Sequence, residues 1–198
     1  MTKYILNSGG LKNKPEKAKK FFEEILKDSK QNPKMLLCFF AQPREDWEGK
    51  FEEYKLGFLE FSNELNPIFE LAMPDKFEEQ VGNSDIIFIY GGDDHLLWYW
   101  LKQYNLPEIW KGKVVVGSSA GSDVLVKSFW TCDWRQCMDG LGLVSIKFIP
   151  HYKSTEYGKG DPRGSIDWNM AYEELKEYGD KNLPIYALEE GDYQVFEI

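Results

Sequence analysis

The fold is decided by the stretch Lys113-Val114-Val115-Val116-Gly117-Ser118-Ser119-Ala120-Gly121-Ser122-Asp123, which predicts a buried strand that turns sharply into a helix. The three valines are β-branched and stiff, and such an apolar run is typical of a strand covered on both faces. Five small residues then let strand and helix meet at a sharp angle. Gly-x-Ser-x-Gly in this setting is the pattern of a nucleophile elbow, which exposes the Ser119 hydroxyl and points the Ala120 N–H toward a developing oxyanion.

Apolar runs and amphipathic segments alternate on both sides of this stretch. The runs predict strands at 3–7, 35–40, 67–73, 85–90, 143–149, 185–188 and 193–196. Helical spacing predicts helices at 14–30, 45–63, 74–81, 96–104 and 163–178, and a short helix that follows the elbow and ends near 127. Segment 130–139 is expected to be irregular, and 152–162 is expected to form a polar loop. The alternation predicts a single α/β domain over residues 1–198, with a mostly parallel sheet and helices on both faces.

Composition excludes some classes of partner. The 198 residues carry a formal net charge of −9, which argues against nucleic acid or an anionic membrane surface, because phosphate binding needs a basic surface. No apolar segment is long enough to span a membrane, and the first residues do not form a signal peptide. Cys38, Cys132 and Cys137 show no zinc-binding spacing, and reduced thiols fit a cytoplasmic protein.

Three strand ends carry reactive side chains. Functional groups of parallel α/β sheets gather at the carboxyl ends of the strands, and Ser119, His151 and Glu190 each follow a predicted strand. A serine nucleophile needs a general base, and the base needs an acid that fixes its tautomer. His151 is the better base, since the only other histidine, His95, begins a predicted helix and can cap or pack there.

The acid and the second oxyanion donor are less sharply defined by the residues. Glu190 ends a strand beside a glycine, and Asp139 and Glu189 remain rival acids. The turn at Gly91-Gly92 can present a backbone N–H without obstruction by a side chain, so Gly92 is the candidate donor beside Ala120. No GxGxxG pattern follows this turn, which argues against a dinucleotide site.

Five segments together carry a resemblance that runs in one order over nearly the whole chain. They are Tyr90-Gly91-Gly92-Asp93, Gly117-Ser118-Ser119-Ala120-Gly121, Asp139-Gly140-Leu141-Gly142-Leu143, Pro150-His151-Tyr152 and Leu188-Glu189-Glu190-Gly191. This set resembles the peptidase E family, the aspartyl dipeptidases and cyanophycinase-like serine peptidases, whose fold is similar to class I glutamine amidotransferases. The resemblance implies that Ser119 is the nucleophile, that His151 and Glu190 complete a triad, and that Gly92 and Ala120 form the oxyanion hole.

The resemblance also bears on the substrate. The family usually has asparagine where this chain has Asp93, a carboxylate that can meet a substrate amino group. In the aspartyl dipeptidases an arginine after the histidine holds the side-chain carboxylate of an N-terminal aspartate, and Arg163 lies at a similar place. A guanidinium can grip a carboxylate through two parallel hydrogen bonds.

The leading hypothesis is a serine peptidase that hydrolyses short peptides through an acyl-enzyme on Ser119. It implies an exopeptidase or dipeptidase, with Asp-X dipeptides as candidate substrates, and it requires no metal or organic cofactor. An esterase or amidase of α/β-hydrolase type is the alternative enzyme, with Asp139 as its acid. A glutamine amidotransferase is disfavoured because that class has cysteine at the elbow. A non-catalytic binding domain on the same scaffold is the alternative from another class.

Overall fold

The structure, a computed structural model, describes residues 1–62 and 65–198, and in these parts of the chain ten strands form two sheets. The strands of the larger sheet are β1 (Lys3–Asn7), β2 (Lys34–Cys38), β3 (Ile68–Leu71), β4 (Ile86–Ile89), β5 (Val114–Ser118) and β10 (Tyr193–Glu197). Their order is β10-β1-β5-β4-β2-β3, and every pair is parallel except β1 with β10. The mostly parallel sheet is therefore confirmed.

The smaller sheet contains β6 (Val126–Thr131), β7 (Gln136–Asp139), β8 (Val144–Ile149) and β9 (Ile185–Ala187), in the order β7-β6-β8-β9. Two predictions are wrong here. Segment 130–139 is a β6–β7 antiparallel hairpin instead of irregular chain, and the strands do not all join one sheet. Strand β6 pairs in parallel with β8, and this long-range pairing stabilises a strand that the mixed sequence of β6 does not indicate.

Seven helices pack around the sheets within the described ranges. They are α1 (Pro15–Leu26), α2 (Trp47–Phe61), α3 (Phe77–Asn83), α4 (Asp94–Leu101), α5 (Leu106–Ile109), α6 (Ala120–Asp123) and α7 (Trp168–Glu177). Three predicted helices were too long: α1 ends at Leu26, α6 ends at Asp123 because β6 begins at Val126, and α7 begins only at Trp168. The predicted end of the second helix, Asn63, lies outside the described residues.

One hydrophobic core is shared by the two sheets. Ile5 and Val115 of the larger sheet and Phe129 and Phe148 of the smaller one belong to the same buried cluster. No helix in residues 1–62 or 65–198 is both long and apolar enough to cross a membrane. The shared core fixes the carboxyl ends of β5 and β8 close together, and the candidate site lies there.

Candidate active site

Ser119 lies in the sharp turn that joins β5 to α6, as the opening stretch predicts. Its backbone has φ 52° and ψ −120°, a strained conformation for a residue with a side chain. The Ser119 N–H donates to the carbonyl of Asn7 at 2.9 Å, which ties the turn to β1. The helix also passes very close to β4, because a Cβ atom at Gly121 would lie 2.2 Å from the carbonyl oxygen of Ile89. The small residues of the motif are thus needed for this packing.

His151 lies directly beyond β8 and reaches Ser119. Its Nε2 is 2.9 Å from the Ser119 Oγ, a normal hydrogen-bond distance, and its side chain is buried. The backbone of His151 is held by Ser8, whose hydroxyl accepts from the His151 N–H at 2.7 Å and donates to the carbonyl of Leu188 at 2.9 Å. Ser8 therefore connects the ends of β1, β8 and β9 at this one point.

Glu190 lies on the other side of the imidazole. Its Oε1 is 3.5 Å from His151 Nδ1, longer than a good hydrogen bond, and accepts from the Ser154 hydroxyl at 2.7 Å. Lys14 approaches its second oxygen at 3.8 Å, and Lys17 donates to its backbone carbonyl. The serine, imidazole and carboxylate thus lie in the order that the sequence predicts for them.

Burial decides the protonation of His151. Loss of water contact lowers the pKa of the imidazole below its ordinary value, and this outweighs the nearby charges of Glu190 and Asp133, which raise it. The ring is therefore neutral at neutral pH, and a neutral Nε2 can accept the proton of the Ser119 hydroxyl.

An aromatic ring covers the imidazole, a contact that no sequence pattern indicates. Tyr157 stacks on His151 with ring centroids 4.1 Å apart and planes inclined by 24°. Its hydroxyl donates to Asp133 Oδ1 at 2.6 Å, which anchors the ring from the β6–β7 turn. Since Tyr157 belongs to the predicted polar loop, this loop forms the cover of the site.

The Gly91–Gly92 turn after β4 lies against the serine. A Cβ atom at Gly91 would be 3.0 Å from Ser119 Cβ and 3.3 Å from the Ala120 nitrogen. The Gln42 amide donates to the carbonyl of Gly91 and fixes the turn. Ala120 is the first residue of α6, so its N–H has no acceptor within the helix. A cavity of about 260 Å³ opens here, with Gly92, Ser119 and His151 in its wall.

The two residues that the sequence suggests for substrate contacts have partners within the protein. Arg163, 49% exposed, forms its ion pair with Asp161 at 2.6 Å and donates to the carbonyl of Asp133. Asp93 caps α4, accepting from the Leu96 N–H at 2.9 Å. Asparagine and aspartate are both good caps, which accounts for the aspartate at this position.

The rival acid and the rival base also have other surroundings. Asp139, in β7, accepts from the Ser128 hydroxyl, and Glu189 is exposed. His95 is exposed and packs edge-on against Trp134. Of these carboxylates it is Glu190 that pairs with His151, whereas the contacts of Ser8, Ser154 and Tyr157 escaped sequence reasoning, because hydroxyl groups in loops give no periodic signal.

A serine hydroxyl beside a neutral imidazole, on an α/β fold of this kind, defines a hydrolase-type site. The comparison with family models is specific: peptidase family S51 matches residues 4–196, and the chain belongs to this family of peptidases. The peptidase E resemblance of the sequence is thereby confirmed. Among curated proteins no match was found.

Two solved structures share the fold over nearly the whole chain. A peptidase from an acI-B1 Actinobacterium is 23% identical, with a TM-score of 0.63, covering 99% of this chain and 83% of that one. A protein from Listeria monocytogenes EGD-e, provisionally assigned as a peptidase E, is 17% identical, with a TM-score of 0.65 and coverage of 99% and 97%. At these identities the likeness shows the fold alone.

Proposed function

We propose that this protein is a serine peptidase that cleaves short peptides through an acyl-enzyme on Ser119. The observation that carries the proposal is the 2.9 Å contact between Ser119 Oγ and His151 Nε2 at a strained elbow. His151 takes the hydroxyl proton as Ser119 attacks the carbonyl carbon, and returns it to the leaving amine. Water then attacks the acyl-enzyme, with His151 again as the base, and releases Ser119.

Glu190 is the orienting acid in this scheme. Its carboxylate faces Nδ1, favours the tautomer with a free Nε2 lone pair, and stabilises the imidazolium that forms during attack. The hydrogen bond from Ser154 and the approach of Lys14 hold the carboxylate in place. In this scheme the acid follows the histidine in the chain. That order supports a serine peptidase over the alternative, an esterase or amidase of α/β-hydrolase type, whose acid would be Asp139.

The N–H groups of Gly92 and Ala120 are the proposed oxyanion donors. Gly92, in the glycine turn, lines the cavity of about 260 Å³ beside Ser119, and Ala120 begins the helix that follows the serine. Donors held by the backbone need no rearrangement when charge develops on the carbonyl oxygen, which is why such sites accelerate acyl transfer.

The cavity beside Ser119 argues for small peptides and against acidic ones. Its volume of about 260 Å³ suits a short peptide, and its described lining carries no lysine or arginine. Arg163 is already paired with Asp161 and is therefore not free to bind the side-chain carboxylate of an Asp-X substrate. The proposed activity is therefore that of an exopeptidase for short, non-acidic peptides. The three unpaired cysteines of the chain fit a cytoplasmic location.

The test is covalent labelling of the pure protein with an alkyl fluorophosphonate, followed by peptide mapping. We expect a single adduct on Ser119 and none in Ser119→Ala, which should also lose peptidase activity by about 10³-fold or more. Circular dichroism of the variant serves as the control for folding. An adduct elsewhere, or full activity of Ser119→Ala, would show that another nucleophile does the chemistry.

A further inference from the structure

A second, smaller cavity lies next to the proposed oxyanion donors. Its lining includes Gly92, Ser119 and Ala120 together with three aspartates, Asp94, Asp123 and Asp133. The space open to the centre of a water molecule is about 10 Å³, which is room for roughly one water-sized group. This cavity is too small for a side chain, but it suits an ammonium group.

Two of the aspartates are buried and incompletely hydrogen-bonded. Asp94 is 3% exposed and Asp123 is 2% exposed. Asp94 Oδ2 accepts from the Thr131 hydroxyl at 2.5 Å, whereas Oδ1 of each aspartate has no N–H or O–H donor in the described parts of the chain. Such oxygens are costly to bury unless a proton shared by the two carboxyls, or a donor that enters the cavity, satisfies them.

The electrostatics of this pair favour a cation. Burial, followed by repulsion from neighbouring carboxylates, raises the pKa of Asp94 to about 7 and raises that of Asp123 well above its ordinary value. Asp93 and Asp133 are the neighbouring carboxylates whose charges raise these pKa values. Cys132 and Tyr157 are neutral at neutral pH, because the pKa of each is raised above its ordinary value.

Arg135 is a nearby cation, and its charge lowers the pKa of the Cys132 thiol, which lines the cavity. Arg135 donates to the carbonyl of Gly164 and pairs with Asp161 at 3.4 Å, so a carboxylate outside the cavity already offsets part of its charge. Among the described residues no set of three or more His, Cys, Asp or Glu is arranged to hold a metal ion. An organic ammonium group therefore fits this cavity better than a metal does.

We infer that Asp94 and Asp123 bind the free α-ammonium group of the residue that supplies the scissile carbonyl. This rests on the proposed function, because it places that carbonyl at Ser119. In any peptide the α-nitrogen lies only about 2.5 Å from the carbonyl carbon of its own residue, so a subsite for it must adjoin the nucleophile. The small acidic cavity that borders Ser119 and Ala120 meets this requirement.

The bound ammonium replaces the proton that the two carboxyls share. Its three N–H groups can donate to one oxygen of each carboxylate and leave one for a further acceptor. The proton released on binding goes to solvent, so that binding weakens as the pH falls through the pKa of the pair. Bonds inside a longer chain present no ammonium group, and cleavage is thus directed to the first residue of the peptide.

The experiment uses two mixtures of tripeptides, Xaa-Ala-Ala with each of the twenty residues first, one mixture free and the other N-acetylated. Release of Ala-Ala is followed by mass spectrometry, and the measured quantity is the ratio of kcat/KM for free over acetylated peptides. We expect a ratio of at least about 10 at pH 7.5, which falls toward pH 6, and a ratio of about 1 in Asp123→Asn because the variant no longer distinguishes the two mixtures. Because both mixtures use the same His151, its titration cancels in the ratio.

Two variants serve as matched controls. Asp139→Asn removes an aspartate from the edge of the smaller sheet and should leave the ratio as it is. Asp93→Asn tests the capping aspartate that the sequence suggested as the amine partner, and should also preserve the ratio. If Asp123→Asn does not fold, as judged by circular dichroism, the pH dependence of the ratio in the unchanged protein decides.

Several results would overturn the inference. Equal cleavage of both mixtures, a pH-independent ratio, or a loss in Asp93→Asn instead of Asp123→Asn would each do so. If the protein cleaves neither mixture while Ser119 reacts with fluorophosphonate, the amine subsite is wrong and the serine nucleophile stands. If Ser119 fails to react as well, the proposed function and this inference fail together.

Discussion

Replacing Glu190 by glutamine separates the charge of the proposed acid from its shape. Glutamine is nearly isosteric and can still accept from Ser154, so the structural contacts of the side chain remain. What disappears is the negative charge 3.5 Å from His151 Nδ1. We therefore expect a protein that folds normally but activates Ser119 poorly, because the imidazolium formed during attack has lost its counter-charge.

The size of the effect follows from the geometry. Two unit charges 3.5 Å apart attract by about 5 kcal/mol at an effective dielectric constant of roughly 20. Glu190 is 20% exposed and Lys14 lies near its other oxygen, so about half of this, or 2 to 3 kcal/mol, is a reasonable loss. That corresponds to a roughly 30- to 200-fold lower kcat/KM.

The pH profile gives a second readout with a definite sign. The charge of Glu190 raises the pKa of His151, against the larger lowering caused by burial. Removing that charge lowers the pKa further, so the acid limb of the activity profile should move to lower pH in Glu190→Gln. A merely structural role for Glu190 would reduce activity without moving the limb.

The assay is the rate of fluorophosphonate labelling of Ser119 from pH 4 to 9, with the exposed neighbour Glu189→Gln as the matched control. The control should behave like the unchanged protein in both rate and profile. An acid limb that stays fixed or moves upward in Glu190→Gln would refute the assignment. So would an equal loss in the two variants, which would point to a general disturbance of the β9 end.

Two further predictions concern stability. Because the pKa of Asp94 is about 7 when folded, against about 3.8 when unfolded, the folded state holds the extra proton between these values, and stability falls as the pH rises through this window. In Asp94→Asn the free energy of unfolding, measured with urea, should therefore rise by about 2 to 4 kcal/mol at pH 8 relative to the parent, and by much less at pH 4. An equal rise at both pH values would contradict the buried charge. Lys147 is fully buried and donates to the carbonyls of Leu175 and Lys176 at the end of α7. Lys147→Met should therefore lower the free energy of unfolding by about 1 to 3 kcal/mol in the same assay, whereas Lys176→Met, at an exposed position, should change it little.

The strands of the larger sheet were predictable because they are short apolar runs with clear breaks. The run at 114–116 and the run at 86–89 are buried on both faces, and burial of this kind leaves a direct trace in the sequence. The β6–β7 hairpin left no such trace. Its turn carries Asp133 and Arg135. Strand β6 is buried by pairing with β8 and by contact with helix α7, whereas β7 is a partly exposed edge strand, and local sequence reveals neither arrangement.

Ser119 and His151 were predictable as candidates from their positions at strand ends, whereas Asp139 and Glu189 rivalled Glu190 as the acid until the resemblance to the peptidase E family favoured Glu190. Ser119, His151 and Glu190 each follow a strand, and parallel strands bring their carboxyl ends together. Arg163 shows the limit of this reasoning, since proximity in sequence to the histidine says nothing about side-chain direction, and Asp161 binds the guanidinium from two residues away. Asp94 and Asp123 begin and end different helices, and only the pairing of β4 with β5 brings them to one cavity.

The proposed catalytic residues meet at the seam between the two sheets. Ser119 follows strand β5 of the larger sheet, whereas His151 and Glu190 follow strands of the smaller one, so the 2.9 Å contact joins the ends of the two sheets. The Ser8 hydroxyl bridges this seam by accepting from His151 and donating to Leu188. Ser119 and His151 both have positive φ values, a strain that persists only where surrounding contacts fix the backbone. These contacts come from opposite sides of the seam, and the reactive pair can form only when both sheets are folded and joined.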